Sequence, residues 1–200
     1  MFYREAGQFK TSYKADQAVF PIFQDRIFVA IWLFIGFVAV PMLANEYMFR
    51  AIFIPVIIMA LAAIGLNLLV GYCGQVSLGS GAFMAVGAYA AYNFMIRVPE
   101  LNPLICFLLG GLSATAVGVI FGIPSLRIKG FYLAVATLAL QFFTDWTFSR
   151  IDWFTNYTPS GSIAVQPVEV WGFTFDSPLR KYMLCLSALV LFTIIGKNLV

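Results

Sequence analysis

The sequence predicts an all-α polytopic membrane protein with about six transmembrane helices, a count set by the length that a hydrocarbon core demands. Three observations carry that expectation. Hydrophobic residues make up 62% of the chain and charged residues 10%, with a mean hydropathy of +0.90; soluble domains run nearer one half and one quarter. The apolar residues are gathered into blocks of about 20, enough to cross a core of roughly 30 Å. A soluble domain of 200 residues has too little interior to hide that much apolar surface.

Residues 1–26 read as a polar cytoplasmic tail, with Arg4, Lys10, Lys14 and Arg26 set against Glu5, Asp16 and Asp25. Residues 27–200 read as the N-terminal part of a transmembrane domain. The first span, about 27–43, is too long and too late for a signal-peptide core, so it is expected to be retained. Asn45, Glu46 and Arg50 mark the next turn, and span two follows over about 51–70 with Pro55 in its first turns, where a missing N–H costs little. Residues 71–81 then break the pattern, with four glycines and no charge. Such a stretch fits an unwound or re-entrant segment enclosed by protein or lining a cavity. Span three covers about 82–96, span four about 104–122 up to Pro124, span five about 131–148 and span six about 182–195. A polar external loop is expected over about 149–179. The chain stops soon after span six without a polar tail, as a piece of a longer protein would.

The Lys/Arg distribution sets the orientation. A cytoplasmic N-terminus puts Arg4, Lys10, Lys14, Arg26, Arg127, Lys129 and Lys197 inside, and Arg50, Arg97, Arg150, Arg180 and Lys181 outside, seven against five. Tyr47, Trp146, Trp153, Trp171 and Tyr182 fall near expected span ends, where amphipathic rings favour the headgroup layer.

The chemistry this composition permits is narrow. There is no histidine, so imidazole catalysis and His–Cys metal clusters are excluded. Cys73, Cys106 and Cys185 show no metal or disulfide spacing and read as small apolar filler. No phosphate-binding Gly-x-x-x-x-Gly-Lys-Ser/Thr loop occurs, so no ATP hydrolysis is expected of this chain. The expectation is a non-enzymatic protein with no cofactor, no metal and no nucleic-acid partner. Asp145 lies beside Trp146 and Arg150 and reads as interfacial rather than as an ion-coupling carboxylate. Asn156-Tyr157-Thr158 matches a glycosylation acceptor, a pattern short enough to arise by chance.

Two groups of residues stand out. Gly110, Ala114, Gly118 and Gly122 recur at four-residue steps in span four and form a ridge that lets another helix approach closely. Gly81, Ala85 and Ala88 repeat the idea in span three. In the break, Gly74 and Gly79 flank Gln75 and Ser77, with Asn67 a turn or so upstream. Polar groups and loosened backbone at that depth need partners. Two readings stay open: a structural polar knot, or a share in a translocation path or its gate.

The stretch from Gly65 through Gly71-Tyr72-Cys73-Gly74-Gln75-Val76-Ser77-Leu78-Gly79-Ser80-Gly81 to Tyr89 closely resembles the permeases of bacterial branched-chain amino acid ABC importers. Residues 126–139, from Leu126-Arg127-Ile128-Lys129-Gly130 to Ala139, are similar to the LivM-type and urea-type branch of that family. The resemblance runs over about 50–200. Ser80 stands where many relatives carry His, and Cys73 where Ala is common. The resemblance implies an inner-membrane importer subunit that carries a branched-chain or related small amino acid. Its implied partners are a second related permease, two cytoplasmic ATPases and a periplasmic solute-binding protein. It also implies a chain that continues past Val200. A urea or short-amide permease is the alternative within transport; a non-transporting membrane scaffold is the alternative outside it. An intramembrane enzyme lacks the placed acids, bases or metal ligands it would need.

Overall fold

The computed structural model describes residues 23–125, 131–158, 163, 165, 169–170 and 173–199. The tail over 1–22, the turn holding Arg127 and Lys129, and Trp171 lie outside the described residues. The chain divides into two compact units, Met1–Asn45 and Glu46–Val200.

The described part of the first unit is one helix, α1. It runs over Phe23–Phe34, through a widened π-type turn at Ile35–Ala39, and on through Val40–Leu43. It begins ahead of the expected start at 27, so Asp25 and Arg26 sit in its first turn. The second unit opens with α2, spanning Glu46–Tyr72, again with π-type turns at Phe49–Phe53 and Leu68–Tyr72. Two of these three wide turns have the same cause. Proline lacks the N–H that would bond the carbonyl four residues back, and those carbonyls belong to Phe37 and Ala51. Each sits inside a wide turn just before Pro41 or Pro55. The helix answers by shifting to an i+5 bond, Val40 N–H to Ile35 O and Ile54 N–H to Phe49 O. Pro55 is therefore an interior residue of α2, not a first-turn residue, because the helix starts at Glu46 rather than near 51.

After Tyr72 the backbone is non-helical over 73–79. Then come α3 (Ser80–Arg97), α4 (Pro103–Ser125) and α5 (Phe131–Arg150). Within the long polar stretch, β1 (Glu169–Val170) and β2 (Phe173–Thr174) form a minimal antiparallel pair, a small departure from an all-α chain. Last is α6 (Pro178–Leu199), whose Arg180 Nη1 donates to Thr174 O at 2.7 Å.

Among the described residues, four stretches are long and apolar enough to cross a membrane: Gln24–Leu43, Glu46–Tyr72, Pro103–Ile123 and Pro178–Leu199. The other two expected spans, α3 and α5, are helices in the expected places but fall short of that measure. The reason is their composition, with Tyr89, Tyr92, Asn93 and Arg97 in α3 and Gln141, Asp145, Ser149 and Arg150 in α5. Asn93 of α3 and Thr144 of α5 are buried against protein, so these two helices face neighbours with groups that lipid would not tolerate.

Packing follows the small residues. α3 and α4 run antiparallel, with Gly87 opposite Gly110 and Ala114, and Phe83 opposite Gly118. α3 and α5 run parallel at a constant offset of 59 residues: 78 meets 137 and 82 meets 141. Tyr89 stacks on Phe148 at 4.1 Å with the same offset. α2 and α6 also run parallel, with Phe49 and Phe53 against Tyr182 at one end and Ile64 against Gly196 at the other. Tyr182 was expected at the headgroup layer. Within the protein it is 3% exposed, because the two α2 phenyl rings enclose it.

Candidate functional site

The non-helical stretch 73–79 brings the chain from the end of α2 to the start of α3, and α5 supplies what its backbone lacks. Leu78 N–H donates to Thr137 Oγ1 at 2.9 Å. Ala82 N–H donates to Gln141 Oε1 at 2.7 Å and also bonds Gly79 O at 3.1 Å. The first N–H groups of a helix have no intrahelical acceptor, and Gln141 fills that role for α3. Thr137 in turn donates to Ala134 O. Gly79 N–H contacts Ser77 Oγ at 3.4 Å.

Two glycines make this approach possible. A Cβ at Gly79 would stand 2.6 Å from Thr137 O, and one at Gly81 would stand 2.7 Å from Gln141 Nε2. Both distances lie far inside van der Waals contact. Gly74 has a different reason for being glycine: its φ is +64°, in the left-handed region that side chains disfavour.

A first cavity of about 310 Å³ lies beside this segment. Gln75 and Ser77 from the break, Gly118, Phe121 and Gly122 from α4, and Leu133, Thr137 and Leu140 from α5 line it. A second cavity, of about 510 Å³, lies further along the same three helices. Its walls are mostly apolar and aromatic, with Asn93, Arg97, Ser113, Thr144 and Thr147 as polar exceptions. Phe121 lines both cavities.

At the far end of the second cavity lies a polar clamp. Asn93 Nδ2 donates to Tyr89 O at 2.8 Å and to Phe154 O at 3.1 Å. Arg97 donates from Nε to Asn93 Oδ1 and from Nη2 to Trp153 O, both at 3.0 Å. Its guanidinium lies 3.8 Å from the Trp153 ring centre, a cation–π contact. Thus Trp153, expected near a membrane boundary, is also a structural partner of α3. The turn carrying it holds Asn156 and Tyr157 at φ 54° and 57°.

The sequence-predicted residues divide between these surroundings. Gln75, Ser77, Gly118 and Gly122 meet at the first cavity. Gly110 and Ala114, on the same ridge, pack against α3 instead: a Cβ on Gly110 would fall 2.6 Å from Gly87 O. Gly79 lies beside Thr137, while exposed Gly74 has open space around it. Asn67 is exposed on α2, with its Oδ1 near Gly71, and does not line the cavity. Thr137 and Gln141 were not singled out from sequence. Their signal was a polar pair four residues apart on one face of an apolar helix. Among the described residues there is no group of three or more His, Cys, Asp or Glu able to hold a metal.

Comparison with known proteins gives this arrangement its context. Residues 48–197 match the family described as "Branched-chain amino acid transport system / permease component". A 75-residue stretch is 41% identical to the "High-affinity branched-chain amino acid transport system permease protein LivM" of Escherichia coli (strain K12), covering 38% of this chain and 17% of that protein. The protein of the same name from Salmonella typhimurium is also 41% identical over 75 residues, with the same coverage. No solved structure matches. The family match takes in α3, α4 and α5, the segment before them and both cavities, and the chain belongs to the permease-component family of branched-chain amino acid transport systems.

Proposed function

We propose that this chain is a permease subunit of an ATP-driven importer that passes branched-chain or related amino acids across the bacterial inner membrane. The observation that carries this reading is the family match over 48–197, together with a cavity at which the polar groups of the break converge. Gln75, Ser77 and Thr137 provide an amide and two hydroxyls in a lining otherwise made of apolar side chains and glycine. A small zwitterion with an aliphatic side chain needs such a mixture: a few hydrogen-bonding groups to replace water, and apolar wall for the rest.

In this reading 73–79 is a broken segment that lines or gates the path. Gln75 and Ser77 contribute polar groups, Gly74 and Gly79 backbone geometry, and Asn67 the approach along α2. Of the ridge Gly110, Ala114, Gly118 and Gly122, the first two serve the packing of α4 on α3, and the last two leave room for the cavity they line. The N-terminus is cytoplasmic, and the stretch around 149–179 is external, which puts the Arg97–Trp153 clamp at the outer end. The partners are a second related permease, two cytoplasmic ATPases and a periplasmic solute-binding protein. The ATPases supply the chemical energy, so this chain does none of the hydrolysis.

The test is Gln75→Leu in the full-length permease, reconstituted with those partners. The change keeps similar volume and removes the amide. Uptake of leucine should fall while complex recovery and binding-protein-stimulated ATP hydrolysis persist. A complex that fails to assemble would assign Gln75 to a structural knot. Wild-type uptake of urea without leucine uptake would replace the solute class.

A further inference from the structure

Main-chain hydrogen bonding is sparse between α2 and α3. Gln75 N–H reaches Leu69 O at 3.3 Å and Gly79 N–H reaches Ser77 Oγ at 3.4 Å, both beyond the usual N–H···O range. Two shorter bonds fix the end of the segment and the first turn of α3 to α5: Leu78 N–H to Thr137 Oγ1 at 2.9 Å and Ala82 N–H to Gln141 Oε1 at 2.7 Å. Upstream, Gly74 combines φ +64° with open space where a side chain would be. The segment is therefore pinned at one end, loosely bonded in the middle and unobstructed at Gly74. It also forms part of the first cavity's wall through Gln75 and Ser77.

We infer that Thr137 and Gln141 form a releasable latch, and that breaking its two bonds frees residues 75–82, the first turn of α3 included, to swing about Gly74 and open the first cavity. This rests on the permease reading above. Both bonds join a neutral side chain to a backbone amide, and water competes well for such groups. Thr137 itself lines the cavity, so water or solute arriving there meets the latch directly. The closed form also depends on missing side chains. A Cβ at Gly79 meets backbone oxygen, which cannot turn aside, whereas one at Gly81 meets the movable end of Gln141. Hinges of this kind are a few element-terminal positions that absorb a backbone change. Thr137 and Gln141 are positioning residues here, acting through the segment they hold.

The experiment uses the full-length permease with its partner subunits, in a background where Cys73, Cys106 and Cys185 are replaced. Gly81→Cys is combined with Gln141→Cys, since a Cβ at Gly81 stands 3.1 Å from Gln141 Cδ. Oxidation should link the pair, and leucine uptake should be about tenfold lower when linked than after reduction, as expected if the open state is required for transport. Equal uptake in both states overturns the latch. A second readout needs no solute: labelling of Ser77→Cys by a soluble thiol reagent. Thr137→Val, which keeps the shape and loses the acceptor, should speed labelling about fivefold, the effect of one net hydrogen bond on such an equilibrium. Thr137→Ser should restore the original rate. Equal rates in Val and Ser variants also overturn the latch. If the wild type takes up no amino acid while the labelling contrast appears, the solute reading fails and the latch stands.

Discussion

Gly110 and Gly111 are adjacent glycines on α4 that should respond to alanine with opposite sign. A Cβ at Gly110 would sit 2.6 Å from Gly87 O, 2.9 Å from Ala91 Cβ and 3.2 Å from Ala91 N. Ordinary contact distances begin at about 3.5 Å. Two of the three contacts are backbone, so no side-chain rotation relieves them. α3 and α4 have to separate by roughly 0.8 Å, giving up contact along their shared face. Overpacking of this kind costs about 1–3 kcal/mol, and the better helix propensity of alanine returns about 1 kcal/mol. Gly110→Ala should therefore lose up to about 2 kcal/mol, a large share of the stability of an ordinary fold. At Gly111 a Cβ meets nothing within 4 Å, so Gly111→Ala keeps the propensity gain of up to about 1 kcal/mol. The assay is denaturant unfolding of the purified full-length permease in detergent, with both variants measured in parallel. If Gly110→Ala proves as stable as Gly111→Ala, the close approach of α3 and α4 at this point is wrong.

Gly118→Ala, on the same ridge, meets only Phe83 Cε1 at 3.6 Å, so its complex yield should match wild type; the bulkier Gly118→Leu should reduce yield by forcing Phe83 aside. Phe121→Ala should join the two cavities it now lines and raise the apparent KM for solute in reconstituted uptake, with an unchanged KM showing that Phe121 lies off the path. Arg97→Ala removes the guanidinium over Trp153 and two hydrogen bonds; it should loosen the 151–157 turn by about 1 kcal/mol, seen as faster amide exchange there, and unchanged exchange would mean that the clamp holds nothing. Single cysteines at Lys14, Ser125 and Gly161, probed with an impermeant thiol reagent in cells with a permeabilised outer membrane, should label only at Gly161, and labelling at Ser125 would reverse the orientation.

The apolar blocks, their helical character and the family resemblance were legible because they depend on composition and local order. A run of about 20 apolar residues has few ways to satisfy its backbone in lipid other than a helix. Glycine and polar residues clustered without charge marked 71–81 for the same local reason, and the structure keeps 71–72 and 80–81 helical. The prolines were visible too, but their consequence was not: Pro55 fell inside a helix and widened the turn before it, since the start at Glu46 depends on more than the apolar pattern.

What only the tertiary structure decided is which surfaces meet. The ridge from Gly110 to Gly122 looks uniform in sequence, yet its first half touches α3 backbone and its second half borders a cavity. Tyr182 is enclosed because the rings of Phe49 and Phe53 stand beside it, a contact that its place at a span end does not announce. Thr137 and Gln141 gained their role from the parallel packing of α3 and α5, which sets them opposite Leu78 and Ala82, 59 residues away in each case. Spacing along one helix states which residues share a face. The partner that face meets follows from hydrogen bonds and close contacts between distant segments, and those are made only when the helices pack.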